Sequence, residues 1–207
     1  MAIPDELRVR REPHRGRYDR ETIDAILDEA LYCHLGFAID GQPYVIPTLH
    51  ARVGDLLYLH GSSASRMLRH AGAGAPLCAT VTLLDGIVLA KSVFNHSIDY
   101  RSVVVLGRAT LVEGDEKVAA LEAFTEHVAP GRWFESRRPT PLELKATSIL
   151  SLPLDAASAK VRTGPPEEEP EDVDLPYWSG VVPVYLAAEP SEYDWRRVRD
   201  GRVGPPR

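Results

Sequence analysis

The residues best suited to chemistry form the run Gly61-Ser62-Ser63-Ala64-Ser65-Arg66, with Arg69 one turn further on. Small residues placed after a strand and before a helix expose backbone N–H groups, and the helix start adds the positive end of a dipole. The hydroxyls of Ser62, Ser63 and Ser65 are further donors, and Arg66 offers a planar fork that matches two phosphate oxygens. The combination suits a phosphate group. It is not a nucleoside-triphosphate P-loop, because GxxxxGK[ST] is missing. On spacing alone, the same residues also describe a serine-rich loop that ends in a helix cap.

Three histidines lie near predicted strand ends or this loop. His50 and His60 terminate adjacent predicted strands, and His96 stands in Phe94-Asn95-His96-Ser97. None belongs to an HxxH or HExxH pattern, so no metal site is expected. Cys33 and Cys78 sit in apolar runs without CxxC spacing. They read as buried free thiols rather than a disulfide framework or a zinc knuckle.

Several elements must position these groups. Residues 1–18 read as an arm, after which Asp19 caps a helix carrying Ile23, Ile26, Leu27, Ala30 and Leu31 at helical spacing. The period then changes to two. Residues 34–39 and 44–52 read as strands joined by Asp40-Gly41, and Gly54-Asp55 turns the chain into a third strand over 56–60. The serine run caps a short helix bearing Met67 and Leu68, which ends at Gly72 and Gly74. Residues 77–84 form a strand that Asp85-Gly86 is expected to turn into a second one over 87–92. Residues 100–112 make a long β run, and Asp115 is expected to cap an amphipathic helix with Val118, Leu121, Phe124 and Val128 inward. One or two helical turns over 140–145 precede closing strands at 149–154 and 158–162. The run PPEEEPEDVD reads as a solvated loop (165–176), WSGVVPVYL should pack back on the body, and residues 190–207 form a charged tail. Short antiparallel strands with a few helices indicate a mainly β architecture, a barrel or α+β fold, in one domain.

Composition narrows the function classes. The 207 residues suit one domain, and a formal net charge of −6 argues against a general nucleic-acid binder. No apolar leader and no run of about 20 apolar residues is present, so a cytoplasmic protein without a membrane span is expected.

Five blocks, in order, resemble the pyridoxamine-5′-phosphate-oxidase-like family of FMN-binding split barrels, in its flavin-nucleotide-binding and nitroimidazole-resistance-like branch. They are PYVIPT, LYLHGSSASRML, FNHSIDYRSVVVLG, SAKVRTG and WSGVVPV. The resemblance implies a split β-barrel with flanking helices, a homodimer, and FMN at the dimer interface. It places Ile46, Pro47, Thr48 and Leu49 beside the isoalloxazine, and Ser63, Ser65 and Arg66 at the flavin phosphate. Arg101 and Ser102 occupy positions that reach the flavin across the two-fold axis, and His60 would stand near the ring as a cofactor contact and the candidate catalytic group. The implied activity is an FMN-dependent oxidoreductase acting on a small organic acceptor, with NAD(P)H as a possible donor. Alternatives are a flavin carrier without turnover, or a split barrel that holds haem or a deazaflavin.

The sequence also departs from the family's founding enzyme. The Arg-Leu-His-Asp block that grips substrate phosphate in true pyridoxamine-phosphate oxidases is absent, the tail reading EYDWRRVRDGRV, and Leu49-His50 stand where those enzymes place a lysine. Vitamin-B6 oxidase activity is therefore not expected.

Overall fold

The computed structural model describes residues 4–187; the charged tail expected over 190–207 lies outside the described residues. The Asp19 carboxylate accepts the Thr22 N–H at 2.8 Å and so starts α1 (Arg20–Glu29), whose Ile23, Ile26 and Leu27 are buried at helical spacing. Strands β2 (Tyr32–Ile39) and β3 (Gln42–Val53) follow, joined by Asp40 and Gly41 at φ of 51° and 81°. Two successive positive φ values are what a tight hairpin with the strands' own twist requires. Gly54, also left-handed, turns the chain into β4 (Leu56–Ser62), and α2 (Arg66–Gly72) comes next.

The remaining elements are β5 (Pro76–Leu89), β6 (Ser97–Arg108), β7 (Thr110–Val112), α3 (Gly114–Val128), α4 (Pro141–Ala146), β8 (Thr147–Pro153), β9 (Ala157–Arg162) and β10 (Gly180–Pro183). With β1 (Gly16–Arg17) they build one antiparallel sheet in the order β1-β9-β6-β5-β2-β3-β4-β8-β7, with β10 added on β5. The mainly β architecture expected from the sequence is present.

The hinge of this sheet is β3. Its first part, from Gln42 to Leu49, pairs with β2, and its last part, from His50 to Val53, pairs with β4. At the change of partner, His50 and Ala51 are both buried, which breaks the in–out alternation of the preceding residues. The main core lies inside the curved sheet, where α1 and Met67 and Leu68 of α2 meet Leu35, Leu57, Leu59, Val81, Val103, Leu150 and Leu152. A smaller core of Ala51, Tyr58, Val112, Ala120, Phe124 and Ile149 sits under α3.

Four expectations need correction. Residues 4–18 are more than an arm, since Leu7 is buried and β1 pairs with β9. Asp85-Gly86 is not a turn; β5 runs through it with a register shift, because the Asp85 carboxylate is engaged by Arg101 and β10 packs against Gly86. A Cβ at Gly86 would lie 2.7 Å from Val181 Cγ1, so the glycine answers a close strand approach instead of a reversal. The α3 N-cap is Glu113 rather than Asp115, and Val128 is exposed, the inward positions being Ala120 and Phe124. The acidic run is not merely solvated: the Glu168 carboxylate accepts the Lys91 N–H at 3.1 and 3.2 Å, and Glu167 pairs with Arg15. Both thiols are free as expected, Cys33 buried and Cys78 half-buried, and burial pushes the Cys33 thiol up to about 12.

Candidate functional site

The serine-rich loop satisfies most of its own amides. The Ala64 N–H donates to Ser62 Oγ at 3.2 Å, the Ser65 N–H to the Ser62 carbonyl at 2.9 Å, and the Ser63 N–H to the Ala146 carbonyl at 2.8 Å. Ser65 is the N-cap of α2, its hydroxyl oxygen accepting the Leu68 N–H at 3.4 Å. An anion at this loop would therefore meet side chains more than a cradle of amides. The hydroxyls of Ser63 and Ser65 retain their protons to donate. The Arg66 guanidinium lies over the Tyr44 ring at 4.4 Å and has no carboxylate partner among the described residues. A planar cation held by stacking keeps its N–H edge free for an oxyanion. Arg69 is instead turned back to the Ala64 carbonyl at 2.9 Å.

Across from this loop, β3 opens. Before His50 it has no pairing with β4, whose His60, Gly61 and Ser62 pair with β8 on their far side. The two strands diverge into a wedge, with the Thr48 hydroxyl donating to the His60 carbonyl at 3.1 Å near its apex. Residues 46–49 thus present one backbone edge that no strand among the described residues covers. Such an edge can pair with the donor and acceptor groups of a planar heterocycle. The side chains split by parity: Ile46 packs on the core and Thr48 is half-buried, whereas Pro47 and Leu49 face outward. Val45 joins them on the outer face, and β2 adds Tyr32 and His34, whose rings meet edge to face at 5.6 Å.

The histidines separate by environment. His60 is half-buried against Phe124, ring centroids 4.5 Å apart; its Nδ1 is buried without a partner, and burial holds its pKa below the ordinary value. His50 is fully buried, and its Nε2–H donates to the Leu27 carbonyl at 2.9 Å, so it acts as structure. His96 is exposed, with Nδ1 accepting the Ala90 N–H at 3.1 Å. His34 and His70 carry no hydrogen bond on their rings among the described residues; His70 lies 5.9 Å from Phe37, which stacks on Tyr44. No group of three or more His, Cys, Asp or Glu side chains placed to hold a metal ion occurs among the described residues.

Arg101 and Ser102 stand apart. They lie on β6, separated from β3 by β5 and β2, so within one chain they are not beside residues 46–49 or Arg66. Arg101 is clamped by Asp85 at 2.7 and 2.9 Å and by Glu29 at 2.5 and 2.8 Å, which holds its pKa above the ordinary value. The Ser102 hydroxyl donates to the Lys160 carbonyl at 3.3 Å. Sequence reading missed Tyr44 under Arg66 and Phe37 stacked on Tyr44. The alternation of Tyr44, Ile46 and Thr48 on one face of β3 was the available signal.

Comparison with known proteins gives this geometry a context. The chain is 41% identical to the flavocytochrome Anf3 from Azotobacter vinelandii, over 98% of this chain and 94% of that one, with a TM-score of 0.87. It is 37% identical to an FAD and heme binding protein from Mycobacterium smegmatis, covering 86% and 89% of the two chains, with a TM-score of 0.81. A candidate 5-nitroimidazole antibiotic resistance protein from Bacteroides thetaiotaomicron VPI-5482 shares the fold at 24% identity, over 70% of this chain and 86% of that one, with a TM-score of 0.58. No curated protein matches the chain. The family profile described as pyridoxamine 5′-phosphate oxidase matches residues 19–161, and on that match and the identities above this split-barrel chain belongs to the pyridoxamine 5′-phosphate oxidase family.

Proposed function

We propose that this protein binds a flavin and a haem and passes electrons between a reductant and an acceptor. The observation that carries the reading is the 41% identity to a flavocytochrome over 98% of the chain. The protein of 37% identity, which binds FAD and heme, points the same way and favours FAD over the FMN expected from sequence. The residues present fit a flavin: among the described residues, the uncovered edge of β3 over residues 46–49 faces a loop with free hydroxyls on Ser63 and Ser65 and an Arg66 without a carboxylate partner. When bound, a flavin supplies hydride or single-electron transfer. The chain's own residues hold its edge, neutralise its phosphate and exclude water. His60, whose half-buried ring has an unpartnered Nδ1, is positioned to keep a neutral imidazole nitrogen near the wedge.

A haem needs an uncommitted imidazole and apolar walls. Among the described residues the rings of His50, His96 and His127 are already hydrogen-bonded and His14 is exposed beside the Glu12 carboxylate, which leaves His34, His60 and His70. Oxidation of a vitamin-B6 phosphate is not part of the reading. The missing Arg-Leu-His-Asp block falls on residues beyond the described ones, and membership of a family does not transmit its founding reaction.

A homodimer belongs to the same proposal. Tyr32, Val45, Leu84, Ile87, Val93, Phe94 and Ile98 are exposed in the single chain, Phe94 at 90%. A surface that apolar marks an interaction site, and a two-fold arrangement would bring Arg101 and Ser102 of one protomer toward the wedge of the other. NAD(P)H as reductant and a small organic acceptor complete the reading. No helix among the described residues is long and apolar enough to cross a membrane.

The test is the visible spectrum of the purified protein, with and without added FAD, FMN and hemin. Flavin bands together with a Soret band are expected, and acid extraction should release FAD. A protein that stays colourless after all three additions refutes the proposal. Arg66→Ala should weaken flavin affinity by about 2–3 kcal/mol, the size of a lost charge-assisted contact. Loss of the Soret band in one of His34→Ala, His60→Ala or His70→Ala would identify the histidine that holds the haem.

A further inference from the structure

Away from the wedge, residues of the N-terminal segment and the end of β9 line an open polar recess of about 170 Å³. Its walls carry Arg15, Arg17, Arg162 and Glu167, with His14 and Thr163 beside them. Whole-cofactor pockets usually exceed about 300 Å³, so this space suits a small anionic group rather than a flavin.

Each guanidinium is held differently. Arg162 is buried and paired with the nearly buried carboxylate of Asp99. Arg17 donates from Nη1 to the carbonyls of His14 at 2.7 Å and Gly16 at 2.9 Å, and no carboxylate pairs with it among the described residues. Backbone carbonyls fix the position of Arg17 without neutralising it. Arg15 is 19% exposed and meets the carboxylate of Glu167 at 3.1 Å, although Glu167 itself is 79% exposed. Among the described residues a semi-buried arginine thus takes its one carboxylate from an exposed side chain of the acidic 165–176 loop. Exposed pairs of this kind hold weakly, so Glu167 is easily exchanged for another oxyanion.

Charge decides which anion. Arg15, Arg17 and Arg162 on the walls face one lining carboxylate, Glu167. Asp99 answers Arg162 from outside the lining, and Asp19 acts on Arg17 only from beyond ion-pair distance, so the directly paired groups leave one positive charge in excess. Exchanging Glu167 for a monocarboxylate changes nothing in that balance. Exchanging it for a dianion brings the site to neutrality and gives Arg17 its missing partner. We propose that this recess is a second anion site that binds a phosphate dianion, with the Glu167 carboxylate occupying it as a displaceable internal competitor. The phosphate would come from a phosphorylated metabolite or the terminal phosphate of a nucleotide, which share this chemistry.

Titration calorimetry on the purified full-length protein tests it with inorganic phosphate, AMP and acetate as probes. Saturable phosphate binding is expected, with acetate at least tenfold weaker. Glu167→Gln removes the competitor and should tighten phosphate about tenfold. Arg17→Gln should weaken it about ten- to a hundredfold, the loss of one charged hydrogen-bonding partner. AMP tighter than phosphate would identify a nucleotide as the source; phosphate as tight as AMP would identify the free anion or a small phosphate ester. Either supports the site. Unsaturable binding, unchanged affinity in Glu167→Gln, or equal binding of acetate would overturn it. The visible absorbance of Arg17→Gln should match wild type. Loss of flavin bands in that variant would also overturn the proposal, by showing that the anion held there is the flavin's own phosphate. The titrations are repeated on Arg66→Ala, which removes the cation of the serine loop. Phosphate or AMP held there and the anion held here are then separately visible, and so are failure of this site and failure of the flavin reading.

Discussion

Replacing His50 with glutamine isolates one source of acid sensitivity. In the folded chain His50 is fully buried, its Nε2–H is given to the Leu27 carbonyl near the end of α1, and its Nδ1 has no partner among the described residues. Burial disfavours the imidazolium and holds the pKa below its ordinary value, and the ring of His127 at 5.4 Å pushes the same way; the Leu27 bond and Asp28 oppose it more weakly. The unfolded histidine titrates near about 6.5. The unfolded state therefore binds the proton first, so stability is full above that value and falls as pH drops toward the folded pKa. Between pH 7.5 and 5.5 one such group removes at most about 1.4 kcal/mol. Glutamine keeps a donor for Leu27 and has nothing to titrate. Urea unfolding of both proteins at both pH values should show His50→Gln costing about 1 kcal/mol at pH 7.5 but losing less on acidification than wild type, by up to about 1.4 kcal/mol. His60 titrates in the same direction in both proteins and cancels in the difference. An identical acid loss in the two proteins would refute the argument.

Other perturbations follow from the packing. Leu150→Ala empties a fully buried position on β8 in the main core and should cost about 2–5 kcal/mol in urea unfolding at neutral pH. Gly86→Ala places a methyl 2.7 Å from Val181 Cγ1 and should loosen β10, read as faster proteolytic cleavage within 165–187 while the rest of the chain stays protected. Asp99→Ala leaves the buried Arg162 guanidinium without its counter-charge and should destabilise by about 3–5 kcal/mol, seen as a lowered urea midpoint.

How legible the fold was depended on how local its causes are. The β2–β3 hairpin followed from Asp40-Gly41, and α1 from the Asp19 cap and the spacing of Ile23, Ile26 and Leu27, because each is decided within a few residues. Asp85-Gly86 carries the same local signal as Asp40-Gly41 and means something else. There the deciding contacts come from Arg101, 16 residues on, and from Val181, which returns on β10. A dipeptide records that a glycine is required, but a turn and a close strand approach require it equally. The same distinction explains why residues 4–18 read as an arm: their anchors, Leu7 in the core and the pairing of Gly16 with Lys160, are non-local.

The candidate site divides along the same line. The strand end, the loop and the Ser65 cap that bring Ser63, Ser65 and Arg66 together were legible because they are consecutive in sequence. That the loop spends its amides on itself was not legible, since one acceptor is the carbonyl of Ala146. Nor was the wedge. It arises because β3 changes partner between Leu49 and His50, and a strand's partners are set by the whole sheet rather than by its own alternation. This is also why residues 46–49 entered through resemblance and not through composition and spacing: what distinguishes them is an edge that no other strand covers among the described residues. Arg101 shows the reverse case. Its clamp by Asp85 and Glu29 is complete within one chain, so any part it takes in a flavin site must compete with two carboxylates or work through them from across a dimer axis.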